Sequence, residues 1–200
     1  IRFRTFFFSS PCLYRIHSNI TYLYTPPYNK TTLYPLSTYR ITAMAQIIDG
    51  KECALSIRNE IASEIDSLKQ SMPDFEPSLA IIQVGTRPDS STYVRMKRNA
   101  AKDAQINVQF IHLDEDVTES QLLKHVSELN QAESIHGIII QLPLPPHINE
   151  DKVTSAVLPE KDVDGFGPFN VGELAKRHGN PTFLPCTPKG IIELLHRYKV

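Results

Sequence analysis

Leu79-Ala80-Ile81-Ile82-Gln83-Val84-Gly85 is a short, mostly apolar run that ends at a glycine. Such a run, without regular alternation of polar and apolar residues, is typical of a strand buried on both faces of a sheet. The segment before it, residues 51–70, has apolar side chains at spacings of three and four and is followed by Pro73 and Pro77. This spacing predicts an amphipathic helix that leads into the buried strand. Its apolar positions are Ala54, Ile57, Ile61, Ile65 and Leu68.

Helical and extended patterns continue to alternate after the first strand. The patterns predict a loop over 86–90, a helix to about Ala104, a strand over Val108–Leu113, a helix over Thr118–Asn130 and a strand over His136–Gln141. They then predict a short helix over Asn149–Val157, a loop-rich stretch over 158–187 and a final helix from Pro188. Thr118 and Gln121 have the spacing of a capping box. The alternation predicts an α/β fold, an open and mostly parallel sheet with helices on both faces. Right-handed crossovers place every carboxyl end of a strand at one edge, where such sheets bind ligands.

Composition excludes several classes of function. Of the 21 Lys and Arg residues, five lie in residues 1–43, which contain no Asp or Glu; residues 44–200 therefore carry 16 basic and 22 acidic residues, a net charge of -6. An acidic body argues against nucleic acid as the main partner. The longest apolar runs span only a few residues, too few for a membrane helix. Cys12, Cys53 and Cys186 show neither a disulfide framework nor a zinc-binding spacing, so we assign no metal ligands.

Residues 1–43 differ from the rest of the chain. They hold six of the eight tyrosines and four of the nine phenylalanines, and no helical or strand period persists in them. One interpretation is a mitochondrial transit peptide, since the segment is basic and free of acidic residues. The other is translated upstream sequence, because Met44-Ala45-Gln46 resembles a natural start and several prolines interrupt a transit helix. Either interpretation predicts a disordered leader.

A lysine follows a tyrosine by four residues in the helix after the first strand, Tyr93-Val94-Arg95-Met96-Lys97. Positions i and i+4 share one helix face, and the first turns after a parallel strand point toward the ligand-binding edge. A lysine amine in such a place can be tuned for proton transfer. The alternative is an ordinary surface lysine beside a half-buried tyrosine, since Arg95, Arg98 and Lys102 show that basic residues are common on this helix.

Two more polar residues follow at later positions. Gln141 ends a strand of three isoleucines, and is either a solvated strand end or a hydrogen-bonding partner in the cleft. Asp164, in Lys161-Asp162-Val163-Asp164-Gly165, is either a solvated loop charge or an acceptor for the ring amidine of a planar ligand. Cys186, in the rigid loop Pro185-Cys186-Thr187-Pro188, has no histidine at a telling spacing and is interpreted as structural.

Taken together, these motifs resemble the bifunctional methylenetetrahydrofolate dehydrogenase/methenyltetrahydrofolate cyclohydrolase family. The similarity covers about residues 46–199, and the order and spacing of the motifs agree. They are Ile48-Asp49-Gly50-Lys51, Tyr93-x-x-x-Lys97, Gln141-Leu142-Pro143-Leu144-Pro145, Lys161-Asp162-Val163-Asp164-Gly165 and Pro185-Cys186-Thr187-Pro188. The resemblance implies an N-terminal folate-binding catalytic domain over residues 44–188, similar to those of amino-acid dehydrogenases. It also implies that residues 189–200 begin a linker helix to a Rossmann domain for NADP or NAD.

The resemblance further implies a role for each residue of the predicted site. Lys97 transfers the proton in the cyclohydrolase step, and Tyr93 stacks on the pterin-like ring and orients Lys97. Gln141 hydrogen-bonds to Lys97 and adjusts its basicity, while Asp164 anchors the amino-pyrimidine edge of the substrate. The residues expected to line the substrate are Tyr93, Val94, Arg95, Met96, Lys97, Ile140, Gln141, Leu142 and Asp164.

The implied activity is oxidation of 5,10-methylenetetrahydrofolate to 5,10-methenyltetrahydrofolate by NADP or NAD, followed by hydrolysis to 10-formyltetrahydrofolate. The sequence has no Gly-x-Gly-x-x-Gly turn, so we expect the nicotinamide cofactor to bind through a domain that is not present in this chain. The chain is therefore interpreted as an N-terminal fragment of such an enzyme. Gln105 replaces a glycine usual in the family, and we expect the end of its helix to be less well closed.

Two other functions stay open. A noncatalytic folate- or partner-binding remnant agrees with the missing cofactor half, and the catalytic domain of another two-domain dehydrogenase agrees with the fold alone. The expected partner is a small folate, with no nucleic acid and no membrane, and full-length relatives are expected to be homodimers. The expected compartment is the cytoplasm, or the mitochondrion if residues 1–43 are a transit peptide.

Overall fold

A computed structural model describes residues 46–200, and the predicted leader and Cys12 lie outside the described residues. Helices and strands alternate through the third strand, as predicted, and Thr118 and Gln121 form the predicted capping box. The elements are α1 (Gly50–Ser71), β1 (Ser78–Val84), α2 (Pro88–Asp103), β2 (Asn107–Leu113), α3 (Glu119–Gln131), β3 (Gly137–Gln141), α4 (Glu150–Ser155), α5 (Pro168–Ala175) and α6 (Cys186–Tyr198).

The three strands form one parallel sheet in the order β2-β1-β3. Gln83 of β1 lies in register between His112 of β2 and Gln141 of β3. Because all three strands run the same way, their carboxyl ends meet at one edge of the sheet. The predicted open parallel α/β architecture is confirmed.

Both faces of the sheet are covered by helices. On one face, Ile82 packs in a core with apolar side chains of α3 and α4. On the other face, Ile81 packs with Val94 of α2 and with Phe183. Burial of one such isoleucine contributes about 2 kcal/mol relative to exposure. Two covered faces explain why β1 is apolar at successive positions.

The first and last helices pack against each other beyond the end of α2. The Asp49 N–H donates to the Tyr198 hydroxyl at 2.9 Å. The Arg197 guanidinium donates from two nitrogens to the two oxygens of Glu60, each at 2.7 Å. Hydrogen bonding to Arg197 lowers the pKa of Glu60 to about 2. These contacts tie α6 to α1.

Three helices begin at or near proline, at places that differ from the prediction. α2 begins at Pro88, inside the stretch predicted as a loop, because the first helical position needs no N–H donor. α5 begins at Pro168 in the same way, so the stretch 158–187 is not a loop throughout. α6 begins at Cys186, which makes Pro188 its third residue rather than its first. The prolines are thus inside the first turns of these helices, where the N–H groups are unpaired in any case.

The end of α2 is closed in spite of Gln105. Gln105 adopts a φ of 58°, in the left-handed region that favours glycine. Its N–H donates to the Lys102 carbonyl, and the Ile106 N–H donates to the Ala101 carbonyl, which is the pattern of a Schellman motif. The expectation of a poorly closed end is therefore wrong. Because glycine is absent, Gln105 adopts a strained left-handed backbone conformation instead.

Candidate active-site crevice

The candidate site lies at the edge where the strands end. β1 passes through Gly85 toward α2, and β3 ends at Gln141, before a Leu142-Pro143 peptide bond that is cis. The loop after it is held by Glu150 of α4, whose Oε1 accepts a hydrogen bond from the Leu144 N–H at 2.6 Å. Through this contact, α4 fixes the exit of β3 next to the crevice.

The Gln141 amide has one satisfied and one unsatisfied polar atom. Its Nε2 donates to the Leu142 carbonyl at 2.8 Å, a bond that requires the nitrogen and so fixes which way the amide faces. Its Oε1 is buried and has no hydrogen-bond partner within residues 46–200. An unsatisfied buried acceptor costs about 1–3 kcal/mol, so this oxygen is suited to a donor that arrives with a ligand or by side-chain movement. Ile140, the preceding residue, is buried in the core.

The loop over residues 161–165 is anchored from inside by Lys161. Its ammonium donates to the carbonyl oxygens of Leu129, Asn130 and Ala132 at 2.8 to 2.9 Å. The last carbonyls of a helix have no partner within it, so Lys161 acts as a C-terminal cap of α3. Burial lowers the pKa of Lys161. The first residue of the predicted motif is therefore structural.

Asp162 is buried, and its carboxylate is fully engaged by its own chain. It accepts hydrogen bonds from the N–H groups of Phe166 and Gly167 at 3.2 and 2.8 Å, and from Asn170 Nδ2 at 2.9 Å. Asn170 is also buried, and its Oδ1 accepts from two further backbone N–H groups. This closed network folds the chain from 162 to 183 around one polar centre.

Asp164, two residues further on, is only half-buried, and its carboxylate is left mostly unpaired. Within the described chain, the one hydrogen bond to it comes from the Cys186 thiol, at 3.6 Å from Oδ1. Burial raises the pKa of Asp164, and the positive charge of Lys97 opposes the rise. The positive charge of Lys97 therefore acts on the Asp164 carboxylate.

Cys186 is a neighbour of the site that the sequence interpretation missed. Its thiol also lies 3.6 Å from the Val163 carbonyl oxygen. Burial, and then the charge of Asp164, raise the pKa of Cys186 to about 12. A thiol that stays protonated at neutral pH is a poor nucleophile, in agreement with the absence of a histidine partner in the sequence. The signal that could have found it is its place in the Pro185–Pro188 motif, since that motif belongs to the family resemblance.

The residues expected to line the substrate on α2 do not all lie on one face. Tyr93 and Lys97 are one helical turn apart; Tyr93 has 40% of its surface exposed, and Lys97 is half-buried. Met96 is exposed beside them. Val94 is buried in the core behind the helix, and Arg95 lines a separate groove on another flank of α2. The structure therefore does not bring Val94 and Arg95 to the crevice.

The turn between β1 and α2 does not form a dinucleotide cradle. The turn between β1 and α2 has a single glycine, Gly85, and α2 begins with Pro88, which has no N–H to offer a phosphate. Within residues 46–200, no three His, Cys, Asp or Glu side chains converge in a way that could hold a metal ion. None of the helices in that part of the chain has the length and apolar character needed to cross a bilayer.

Comparison with known proteins identifies the family. Residues 48–164 match the model of the tetrahydrofolate dehydrogenase/cyclohydrolase catalytic domain. The chain belongs to this family. The matched segment contains Tyr93, Lys97, Gln141 and Asp164. It ends before Cys186, which lies outside the matched residues.

Relatives cover the same part of the chain. The cytoplasmic C-1-tetrahydrofolate synthase of Saccharomyces cerevisiae is 62% identical over 155 residues, which are 78% of this chain and 16% of that protein. The mitochondrial C-1-tetrahydrofolate synthase of the same organism is 51% identical over 154 residues, 77% of this chain and 16% of that protein. The relatives thus include cytoplasmic and mitochondrial proteins.

A solved structure shares the fold. The Trypanosoma brucei N5,N10-methylenetetrahydrofolate dehydrogenase-cyclohydrolase, complexed with NADP cofactor and inhibitor, superposes with a TM-score of 0.74 at 40% identity. The similarity covers 78% of this chain and 52% of that one. The chain therefore spans about half the length of the trypanosome protein and 16% of the yeast synthases.

Proposed function

We propose that this chain is the folate-binding part of an enzyme that oxidises 5,10-methylenetetrahydrofolate and hydrolyses the resulting 5,10-methenyltetrahydrofolate to 10-formyltetrahydrofolate. The observation that carries the proposal is the buried and unpaired oxygen of Gln141 at the end of β3, and the action of the Lys97 charge on Asp164 supports it. Membership of the family supports the proposal. The names of the yeast and trypanosome relatives support it as well.

Asp164 anchors the amino-pyrimidine edge of the folate ring. A carboxylate can accept two charge-assisted hydrogen bonds from a ring amidine, and such bonds are about twice as strong as neutral ones. Within the described residues only the weak thiol donor of Cys186 competes for this carboxylate. Tyr93, with its exposed ring one turn before Lys97, stacks on the flat heterocycle.

Lys97 carries the proton in the hydrolytic step. After Lys97 has released its proton to solvent, a water oxygen adds to the methenyl carbon, and a proton of that water passes to the Lys97 amine. The bond between this carbon and one ring nitrogen then breaks, Lys97 gives its proton to that nitrogen, and the proton left on the added oxygen passes to Lys97 as the formyl C=O forms. Gln141 Oε1, which lacks a partner within residues 46–200, accepts a hydrogen bond from Lys97 Nζ once that side chain moves toward it with the substrate bound, and this bond holds the amine in place.

Hydride transfer needs a nicotinamide cofactor, for which residues 46–200 offer no phosphate-binding turn between β1 and α2. NADP, or NAD, takes up the hydride when it is bound, and the turn between β1 and α2 does not fit its phosphates. We therefore assign cofactor binding to a domain outside this chain. The alternative function, a noncatalytic folate- or partner-binding remnant, is favoured by the same observation.

Partners and compartment are proposed on the same basis. The partner is a small folate, and the full-length enzyme is a homodimer. We place the protein in the cytoplasm because the 62% identical yeast relative is named as cytoplasmic. The mitochondrial alternative is supported by the 51% identical relative.

Binding and turnover by the 200-residue chain test the proposal. Calorimetric titration with 5-formyltetrahydrofolate measures binding, and the loss of methenyltetrahydrofolate absorbance, corrected for the uncatalysed reaction, measures hydrolysis. We expect saturable binding, and hydrolysis faster than the uncatalysed rate. Binding without hydrolysis would favour a noncatalytic folate-binding remnant, and no binding of folate would contradict the folate enzyme and leave only a partner-binding remnant.

A further inference from the structure

An open groove of about 850 Å³ lies beside the start of β2, away from the crevice. Cations dominate its border: Lys69, Arg95, Arg98 and Lys102, with Glu76 as the one carboxylate among the lining residues. Residues 44–200 have a net charge of -6. The groove therefore has three more positive than negative side chains, whereas residues 44–200 as a whole are negatively charged. Such a positive region is suited to an anionic partner.

The groove and the crevice are on different sides of α2. Arg95, Arg98 and Lys102 recur at spacings of three and four, so they form a stripe roughly 10 Å long on the helix. At about 100° per residue, this stripe points roughly 150° away from the direction of Tyr93 and Lys97. A ligand in the crevice therefore does not occupy the groove, and the groove is unexplained by folate binding.

The cations of the groove are available, and one of them is already held in place. Within residues 46–200, none of the four forms an ion pair with a carboxylate. The guanidinium carbon of Arg98 lies 5.1 Å from the centre of the Phe110 ring, and Phe110 stacks with His112 of the same strand. A guanidinium held over an aromatic ring loses less conformational freedom when it binds an anion.

The floor of the groove includes the start of an edge strand. β2 is the outer strand of the described sheet, and Asn107 and Val108 at its start line the groove. Asn99 and Gln105 add amide side chains to the border. An edge strand can pair with an added strand through backbone hydrogen bonds. The groove thus combines the first two residues of an edge strand with a stripe of cations.

We propose that this groove binds an extended acidic segment of a partner protein. The segment pairs with the edge of β2 and sets its carboxylates against Arg95, Arg98 and Lys102. Side chains on one face of an extended segment repeat about every 7 Å, so two acidic residues at alternate positions fit within a stripe of roughly 10 Å. A phosphorylated small molecule could engage the cations but not the strand edge. The proposal is independent of the folate reaction.

Fluorescence anisotropy with the full chain tests this proposal. The probe is a labelled peptide, Glu-Val-Glu-Val-Glu-Val-Glu, and its control has glutamine in place of glutamate. The acidic peptide is expected to bind, more weakly as salt is added, and the control peptide is not. The triple variant Arg95→Gln/Arg98→Gln/Lys102→Gln should weaken binding about tenfold or more. The matched variant Lys51→Gln/Arg177→Gln/Lys199→Gln, with the same loss of charge outside the groove, should leave the affinity unchanged.

Hydrogen exchange of the unmodified chain gives a second readout that does not depend on the variants folding. The peptide should slow amide exchange in Asn107–Leu113 and leave Glu119–Gln131 unchanged. Absence of binding, equal weakening in both triple variants, or binding without protection of β2 would overturn the proposal. Tighter binding of inorganic tripolyphosphate than of the peptide would also overturn it, and would assign the groove to a phosphorylated ligand.

Discussion

Asp162 and Asp164 lie two residues apart in one loop, yet their surroundings differ. Asp162 is buried in a network in which two backbone N–H groups and the Asn170 amide occupy three of its roughly four acceptor positions. Asp164 faces a crevice where a weak thiol donor contacts it and where burial raises its pKa. The Asp162 carboxylate is thus hydrogen-bonded by its own chain, whereas the Asp164 carboxylate has few hydrogen-bond donors.

The difference teaches how to separate a structural acid from a binding acid inside one motif. A carboxylate that its own chain saturates has no capacity left for a ligand. A carboxylate that is buried and unsaturated costs stability, which is expected at a binding site. The Gln141 amide resembles Asp164 in this respect, since its buried Oε1 has no hydrogen-bond partner in the described chain.

Asp162→Asn should lower the free energy of unfolding by about 3 kcal/mol, because an amide nitrogen would face N–H donors that now bind a carboxylate. The measurement is urea denaturation at neutral pH. The loss should be nearly as large in the presence of a folate ligand, since the network does not touch the crevice. A change within ~0.5 kcal/mol would show that the network is not structural.

Asp164→Asn should have the opposite effect on stability. Its raised pKa means that the charged form is disfavoured in the folded state, so the neutral amide should raise the free energy of unfolding at pH 7. The gain should shrink as the pH falls through the raised pKa toward 3.8, where the carboxyl is protonated in both states. Affinity for 5-formyltetrahydrofolate should fall by roughly 10- to 100-fold, because a charge-assisted pair is lost. A less stable variant that binds folate normally would contradict the comparison.

Gln105→Gly should stabilise the chain by about 1 kcal/mol, because glycine adopts the left-handed conformation of Gln105 without strain. Thermal unfolding of the two proteins measures the difference. Gln105 lies at the end of α2 away from Tyr93 and Lys97, so folate affinity should not change. A loss of stability would show that the Gln105 side chain makes a contribution larger than the strain.

Glu60→Gln should have the smallest effect, about 1 kcal/mol or less, because the Glu60–Arg197 pair is half exposed and screened by solvent. The pKa of Glu60 is lowered from 4.5 to about 2, so the pair stabilises the fold above pH 4.5 and loses this effect as the pH falls toward 2. The difference between the two proteins should therefore narrow between pH 7 and pH 3 in urea denaturation. If the difference in free energy of unfolding grew on acidification, the charged Glu60–Arg197 pair would not be stabilising the fold.

The sheet and the core could be predicted from the sequence because they depend on local patterns. The apolar run of β1 and the spacings of α1 specify a buried strand after an amphipathic helix, and both are present. The Thr118–Gln121 capping box is equally local and is also present. By contrast, α5 escaped prediction because its start at Pro168 reads as a loop signal when no packing partner is known.

The candidate site was predictable only in part, since its details depend on contacts between distant residues. The motif containing Asp164 is visible in the sequence, but the roles of its other members are not. Lys161 reaches back about thirty residues to the end of α3, and Asp162 reaches forward to Asn170. Cys186 meets Asp164 across 22 residues of chain. No pattern of period or spacing reports such contacts.

The most direct test of the account is the hydrolysis of 5,10-methenyltetrahydrofolate by Lys97→Met, with Lys124→Met, an exposed lysine of α3, as the matched control. We predict that Lys97→Met loses at least 100-fold in rate, in line with the contribution of a general acid–base group, and keeps its affinity for 5-formyltetrahydrofolate within a few-fold. The control should hydrolyse the substrate at the rate of the unmodified chain. Hydrolysis by Lys97→Met at the unmodified rate would contradict the claim that Lys97 transfers the proton in this crevice.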